Sequence, residues 1–491
     1  MKKILNFKIY GLLSLLIVIS ACSDLTDITQ EGELTEEVAF STLSDIQSGL
    51  NSVYGSYGPD SGGNGSGDVV HFNAIFTDNF KRGLGSTGQG NLDYSFILQP
   101  GSSFPATIWS SRYATINRVN RVLRAIDNIA FDEAELADVD HIKAQLYAFR
   151  ALAHLDLFQY FTKDYTDANS LSVINIDFVP EVLSEFERNT VAETTTFIKN
   201  DLELALQLIN DDLVPSNYYI NSSAVKAIYA RFALVTEDYN KALEMATDVV
   251  TDYQLADATE YPNVFAPNAA APLAPNVEIV FQLRRTGGGA AGNFYFNSVD
   301  ITGGAFYEMS NELYNAFDND DIRKTAFVTA DSEFNGVNDP TNILLIGKYP
   351  GSDAGLLTND FKLLRVSEMV LVKAEAEARL NQLSTAATTL KTLADARLDS
   401  NTVVETFTNV NDALNTILEQ RRLELCYEGH RYLDLKRIGG DINKGVDRED
   451  VDCVSFTATQ CTLVPNDYRF TLPIPTSEIE GNSVITQNSD Y

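Results

Sequence analysis

The chain has 491 residues, of which 68 are Asp or Glu and 36 are Lys or Arg, so its formal net charge at pH 7 is −32. Because phosphates and anionic lipid headgroups attract clustered Lys and Arg, this balance excludes nucleic acid and anionic membrane surfaces as partners of the folded body. Hydrophobic residues make up 44% of the sequence and aromatic residues 10%, which predicts a large core and excludes a disordered chain.

The N-terminus has the layout of a secretory signal peptide. Three lysines among the first eight residues precede an apolar run over 9–19, which is too short for a transmembrane helix. Residues 19–22 read ISAC and look like a bacterial lipobox. We therefore predict that residues 1–21 form a lipoprotein signal peptide and that Cys22 carries the lipid. The alternative is a soluble secreted protein in which Cys22 is incidental.

Residues 22–34 are polar and acidic, as expected of a tether between lipid and a folded body. From residue 35 onwards, apolar residues recur at helical spacing, which predicts a helix over 35–57 capped by Thr35. The same periodicity predicts further helices at about 106–130, 139–163, 191–210, 222–236, 239–253, 365–381, 384–398 and 411–437.

Two of the predicted helical pairs resemble each other at an offset of 144 residues. Small residues at a helix crossing allow close approach, as in tetratricopeptide repeats. The matched positions are Ala230, Leu234, Tyr239, Ala242 and Val249 in the first pair and Ala374, Ala378, Leu383, Ala386 and Leu393 in the second. The pairs are neither regular nor contiguous. We therefore predict a mainly α, irregular tetratricopeptide-like scaffold, built as one domain over 35–491.

Two long segments, at about 60–105 and 255–360, interrupt the helical pattern and are rich in Gly, Asn, Pro and aromatic residues. They contain short strand-like runs at 278–283 and 343–348. Long loops in a compact protein usually carry function, so we expect the working surface in these loop insertions.

Three cysteines follow Cys22. Cys453 and Cys461 are separated by seven residues in a polar loop, which favours a disulfide in an oxidising compartment. Cys426 lies within an apolar helical pattern and is predicted to be a packed, inert thiol.

Motifs for catalysis or cofactor binding are weak in this sequence. Residues 83–88 satisfy G-x-G-x-x-G, but neither a buried strand before them nor a helix after them supports a nucleotide site, so we predict a flexible loop. The segment 331–342 begins like a calcium loop but has Asn342 where Glu is required. The four histidines have no H-x-x-x-H spacing, and no G-x-S-x-G occurs. We predict no cofactor, no metal and no enzymatic activity.

The segment 421–437 reads RRLELCYEGHRYLDLKR, and it resembles the signature of the SusD/RagB family of outer-membrane nutrient-binding lipoproteins. The ending over 472–491 and the helical segments around Trp109 and Arg150 are also similar to that family. Interleaved charges and leucines predict buried ion pairs with a structural role. The residues assigned to that role are Arg421, Arg422, Glu424, Glu428, Gly429, His430, Arg431 and Asp434.

The resemblance implies a lipid-anchored outer-membrane protein, expected at the cell surface, that binds oligosaccharides and delivers them to a SusC-like TonB-dependent transporter. A RagB-like peptide binder and a non-catalytic repeat adaptor remain alternatives, and a hydrolase is a third. The family's starch binders are expected to use several tryptophans, whereas this chain has one, Trp109, so starch is not the expected ligand.

Sugar and peptide ligands call for exposed aromatic rings beside Asp, Asn and Arg, because ring faces pack on apolar ligand faces while polar groups fix hydroxyls and amides. The two loop insertions offer this mixture. The candidate ligand-binding residues are His71, Phe72, Asp78, Asn79, Arg82 and Tyr94 in the first and Arg284, Tyr295, Phe296 and Tyr307 in the second.

Overall fold

A computed structural model describes residues 36–57, 66–266, 270, 272–284, 304–350, 359–398, 402–455 and 460–491. The predicted signal peptide, Cys22, the whole predicted tether, the predicted cap Thr35, Tyr295 and Phe296 lie outside these residues. Within the described ranges, no helix has both the length and the apolar character required to cross a membrane.

The first half of the described chain is helical. Its helices are α1 (Glu36–Ala39), α2 (Leu43–Tyr57), α3 (Ser66–Ile75), α4 (Asn91–Tyr94), α5 (Ser103–Asp127), α6 (Leu136–Phe161), α7 (Val191–Leu208), α8 (Ser222–Val235) and α9 (Tyr239–Asp252). Helix α2 packs on α5, and from α5 to α9 each helix packs on the next, so successive helices form a layered array. The prediction of a mainly α, irregular tetratricopeptide-like scaffold is confirmed.

The second half adds shorter helices around two further pairs. These are α10 (Tyr261–Phe265), α11 (Asn311–Ala316), α12 (Ile322–Phe327), α13 (Val366–Arg379), α14 (Leu383–Arg397), α15 (Val410–Leu425), α16 (Arg431–Ile438), α17 (Asp450–Ser455) and α18 (Thr476–Gly481). Helix α9 packs on α13, which joins the two halves. The pairs α8–α9 and α13–α14 are the predicted repeats. Their four small crossing residues, Ala230, Ala242, Ala374 and Ala386, are all completely buried.

The predicted helix over 35–57 is interrupted at 40–42. Thr42 and Asp45 form a reciprocal cap, because the Thr42 amide donates to Asp45 Oδ2 at 2.9 Å and the Asp45 amide donates to Thr42 Oγ1 at 3.3 Å. This cap satisfies amides that a new helix leaves free, so α2 starts here.

The prediction of one helix over 411–437 is wrong, because the chain breaks between α15 and α16. Tyr427 and Gly429 have φ values of 63° and 90°, which a right-handed helix does not allow. The Lys348 ammonium donates to the Glu424 and Cys426 carbonyls at 2.9 and 2.8 Å. This buried lysine caps the end of α15 and takes carbonyls that a continuing helix would have used.

Strands are few and short in the described residues. β1 (Phe80–Arg82) pairs antiparallel with β3 (Tyr307–Met309), β2 (Ile279–Leu283) with β4 (Phe361–Arg365), and β5 (Val446–Asp447) with β6 (Thr462–Leu463). The predicted strand at 278–283 is confirmed as β2. The predicted strand at 343–348 forms only isolated bridges, through Ile343 to Glu333 and through Ile346 to Val328.

Glu424 stands at the centre of a buried ion network. Its carboxylate accepts hydrogen bonds from Arg365 at 2.8 Å and from Arg397 at 3.0 Å, and Arg323 lies 3.4 Å away. Burial raises the pKa of Glu424, but the three guanidinium groups outweigh it and hold the pKa well below its usual value. The carboxylate is therefore ionised and fully paired, as a structural role requires.

Candidate ligand-binding surface

A small two-stranded unit supports the region where the sequence predicts ligand binding. In the β1–β3 pair, Phe80 lies opposite Met309 and Arg82 lies opposite Tyr307. The Phe80 ring stacks on Tyr307 at 5.1 Å and on Tyr427 at 5.4 Å, and all three side chains are buried. This aromatic stack holds the unit against the helical body. We call residues 82–94 and 304–307, which cover it, the loop platform.

The glycines of the G-x-G-x-x-G sequence serve the packing of the loop platform. The Gly83 and Gly85 amides donate to the Phe306 and Ala305 carbonyls at 3.0 and 2.9 Å, so the loop continues the β1–β3 pairing. A Cβ atom on Gly85 would overlap the Gly304 carbonyl oxygen. The prediction of a flexible loop is therefore wrong: the glycines allow two backbones to pack in direct contact.

Six of the predicted ligand-binding residues are buried, which corrects the expectation that they form an exposed aromatic surface. Their side chains pack in the core. The six residues, each at most 4% exposed, are His71, Phe72, Asp78, Asn79, Tyr94 and Tyr307. The only tryptophan of the sequence, Trp109, is 2% exposed and packs edge-on against Phe161, so it offers no stacking face either.

Asp78 joins the loop platform to the signature segment. Its carboxylate accepts hydrogen bonds from Arg431 at 2.7 and 2.9 Å, and Arg422 donates to its backbone carbonyl at 2.8 Å. Burial raises the pKa of Asp78, but Arg422 and Arg431 together lower it below its usual range. The Tyr427 hydroxyl donates to the Asn79 carbonyl at 3.0 Å. The signature segment thus fixes the position of β1.

The polar edge of the loop platform consists of Arg82, Asn91 and Asp93. Arg82 is half-buried and donates to the Ser86 carbonyl at 2.7 Å. The Oδ1 atom of Asn91 is buried without a hydrogen-bond partner in the described part of the chain. Burial raises the pKa of Asp93 to about 6, and apart from its own backbone amide no described residue donates a hydrogen bond to its carboxylate. Such groups can accept hydrogen bonds from a ligand.

Apolar side chains flank this edge. Leu84 and Leu92 are 60% and 64% exposed, so the loop platform presents both an apolar surface and polar groups. Sequence reasoning identified Arg82 but missed Asn91 and Asp93. The available signal was their position after Gly90, which has a φ of 68° and permits the close turn that places them at the edge.

A second polar and aromatic group lies at the end of β2. The exposed Arg284 guanidinium lies 4.3 Å from the centroid of the Tyr218 ring. The Tyr218 hydroxyl donates to Asp360 Oδ2 at 2.5 Å, and burial followed by this carboxylate raises the pKa of Tyr218 to about 12. Arg284 and Gly304 stand at the two ends of the segment that contains Tyr295 and Phe296. Of the predicted residues that the structure describes, Arg82 and Arg284 are those with accessible side chains.

Cys453 and Cys461 form a disulfide with their Cα atoms 5.6 Å apart. The neighbouring Asp452 carboxylate accepts hydrogen bonds from the backbone and side-chain amides of Asn311 at 2.9 and 2.8 Å. The Tyr94 hydroxyl donates to the Asp452 carbonyl at 3.2 Å, which links this region to the loop platform. Cys426 is buried, and burial raises the pKa of its thiol to about 11, so the thiol is unreactive.

No cluster of three or more His, Cys, Asp or Glu side chains suited to a metal occurs in the described ranges. In the segment that begins like a calcium loop, Asn342 closes the turn itself. Its Oδ1 atom accepts from the Asn335 amide at 2.6 Å, and its Nδ2 atom donates to Asn311 Oδ1 at 2.7 Å.

Two family profiles match this chain. The profile described as "SusD family" matches residues 348–491, and the profile described as "Starch-binding associating with outer membrane" matches residues 35–234. The first contains the signature segment and the second contains helices α1–α7 and most of α8, so both ends of the fold are covered.

Individual relatives are similar over nearly their whole length. The SusD-like protein P2 of Formosa agariphila is 25% identical, with 97% of each chain covered. A crystal structure of a SusD superfamily protein from Bacteroides thetaiotaomicron is 25% identical with a TM-score of 0.76, covering 91% of this chain and 99% of that one. A SusD-like carbohydrate binding protein from Bacteroides vulgatus shares the fold, with 22% identity, a TM-score of 0.74 and 92% and 100% coverage. This chain belongs to the SusD/RagB family.

Proposed function

We propose that the protein is a lipid-anchored outer-membrane protein that captures oligosaccharides on the loop platform and passes them to a SusC-like TonB-dependent transporter. The family membership supports binding, and the description of the matching profile, starch-binding and associating with the outer membrane, supports a carbohydrate and this location. The lipobox-like sequence that ends at Cys22 supports the anchor.

The observation that carries the proposal is the unsatisfied polar edge of the loop platform. A buried Asn91 carbonyl oxygen has no donor among the described residues, and a half-buried Asp93 carboxylate has none there apart from its own backbone amide. Sugar hydroxyls are donors that can satisfy both groups, while Leu84 and Leu92 can contact apolar ring faces. With its only tryptophan buried, the protein is suited to a neutral glycan other than starch.

Calorimetry against a panel of neutral oligosaccharides, starch fragments and peptides tests this assignment. We expect the wild-type protein to bind a non-starch oligosaccharide, and the double variant Asn91→Ala, Asp93→Asn to lose at least tenfold in affinity. Asn240→Ala, an exposed change on α9, is the matched control and should bind normally. If the protein bound only peptides, its ligand class would be peptides and not oligosaccharides. Unchanged affinity in the double variant would contradict the assignment of Asn91 and Asp93 to the binding site.

Capture without catalysis predicts that bound oligosaccharide is recovered intact. Release of new reducing ends during incubation would instead indicate a hydrolase, and absence of any ligand across the panel would favour a scaffold.

For the anchor, incorporation of an alkyne fatty acid should disappear in Cys22→Ser. Delivery predicts co-purification with a TonB-dependent transporter from detergent-solubilised outer membranes, whereas an adaptor would recover other surface proteins.

A further inference from the structure

We propose that a cavity among α2, α6, α8, α13 and the signature segment binds a small inorganic monovalent anion such as chloride, with the Arg421 guanidinium as its principal ligand. The cavity has a volume of about 70 Å³. Residues that line it include Tyr57, Asp156, Arg231, Glu368, Arg421 and His430. It shares no lining residue with the loop platform, so the proposal is independent of ligand capture.

Arg421 is the unusual group in this cavity. Its side chain is 4% exposed, and it donates no hydrogen bond that meets normal geometry to any described residue. Nε lies 2.8 Å from Asp434 Oδ1 as an ion pair, while Nη1 is buried without a partner among the described residues. A guanidinium carries five N–H donors, and leaving them unsatisfied in the interior is unfavourable. The cavity therefore needs an acceptor.

The carboxylates that line the cavity are already paired: Asp434 with Arg421 and Arg437, Glu428 with Arg365, and Glu368 and Asp156 with two further arginines. Glu368 accepts from Arg231 through both oxygens, at 2.5 and 2.6 Å. Asp156 Oδ2 accepts from Arg112 at 2.6 Å. Apart from the ion pair with Asp434, these pairings leave Arg421 Nη1 without a hydrogen-bond acceptor among the described residues.

His430 provides a second donor on the same cavity. No described residue forms a hydrogen bond with its ring, and Nδ1 is 4.0 Å from Glu368 Oε1. Burial, followed by the positive charges of Arg231 and Arg421, holds the pKa of His430 well below its usual value, so the ring is neutral. A neutral imidazole still donates one N–H, which an anion in the cavity can accept.

The volume of the cavity exceeds the roughly 10–15 Å³ that one water molecule needs on the same measure, so a halide ion and at least one water fit in it. Because the whole chain carries a net charge of −32, the anion is held by local guanidinium donors and not by the overall field.

Bromide replaces chloride at such sites and scatters anomalously, so crystals of the wild-type protein grown in sodium bromide provide the direct test. We expect an anomalous peak within about 3.5 Å of a guanidinium nitrogen of Arg421. A cavity that holds only water, with no anomalous peak, would overturn the proposal. This measurement needs no variant and is unaffected if substitutions impair folding.

Thermal unfolding gives a test in solution. At constant ionic strength, replacing gluconate by chloride should raise the wild-type Tm by about 2 °C, because a ligand that binds only the folded state stabilises it. Arg421→Met keeps most of the side-chain volume and should abolish the chloride response, whereas the exposed control Arg118→Met should retain it. An equal response in both variants would contradict the assignment.

Discussion

The ion network around Glu424 and the edge of the loop platform both contain acidic side chains. In the network these side chains are paired with arginine and lysine, whereas at the platform edge they are not. In the network, each described carboxylate meets at least one guanidinium or ammonium group, and the pKa of Glu424 is held low. At the platform edge, no other residue in the described part of the chain donates to Asn91 Oδ1 or to the Asp93 carboxylate, and the pKa of Asp93 is raised. Charged residues in a signature motif can therefore be structural, while the groups available to a ligand are those that the fold leaves without a hydrogen-bond partner from another residue.

The largest expected effect is in the network. Glu424→Gln removes the charge that three buried arginines share, and breaking a buried pair in this way costs about 3–5 kcal/mol of unfolding free energy. Chemical denaturation followed by circular dichroism measures the loss. The exposed control Glu480→Gln should have little effect. A small effect of Glu424→Gln would show that the network is not what holds α15 in place.

A smaller effect is expected from a change within the loop platform. In Gly85→Ala the new methyl group would overlap the Gly304 carbonyl, so the loop must shift, at a cost of roughly 1–3 kcal/mol. Glycan affinity should fall with it, as calorimetry can measure. Gly55→Ala in α2, where a Cβ meets nothing within 4 Å, is the matched control and should stabilise slightly. Normal affinity in Gly85→Ala would show that the loop position does not matter for binding.

The smallest expected effect is the pH dependence of Asp93. The pKa of Asp93 in the folded protein is about 6, above its ordinary 3.8, so the folded state binds the proton more tightly than the unfolded state. The carboxylate therefore destabilises the fold at pH 7, and this penalty disappears as the pH falls from about 6 to below 4. The full shift corresponds to about 3 kcal/mol at pH 7, but solvent partly screens the half-buried carboxylate, so Asp93→Asn should gain roughly 1 kcal/mol at pH 7 and nothing near pH 3.5.

Denaturation midpoints of the wild-type protein and Asp93→Asn across this pH range check the prediction. The partly exposed Asp441→Asn offers a comparison, because its carboxylate is paired with Arg379 at 2.6 Å and the substitution should not stabilise the protein at pH 7. If Asp93→Asn were neutral or destabilising at pH 7, Asp93 would already have a compensating partner, and the contrast between the two regions would weaken.

The anion cavity shares features with both the ion network and the edge of the loop platform. Arg421 belongs to the signature segment, yet it resembles Asn91 in lacking a hydrogen-bond partner among the described residues. A bromide peak there would extend the comparison: an unsatisfied group in the interior would mark a small buried ligand, and one at the surface would mark a larger exchangeable ligand.

The sequence by itself determined the helices, because apolar residues at a spacing of about 3.6 must face one side of a helix. Pairs such as α8–α9 were predicted within a few residues, and the signature over 421–437 identified the family. Local patterns also predicted β2 and placed the two cysteines close enough for the disulfide that the structure contains.

Only the tertiary structure decided which polar residues are buried and which have hydrogen-bond partners. The break at Tyr427 depends on Lys348, which is distant in sequence and caps α15 through two carbonyls. Phe72 and Asp78 lie in a loop-like sequence, but the helical body covers them. Asn91 reads like an ordinary turn residue. Periodicity reports the environment along one element, whereas burial and hydrogen bonding depend on long-range partners, which a local pattern does not contain.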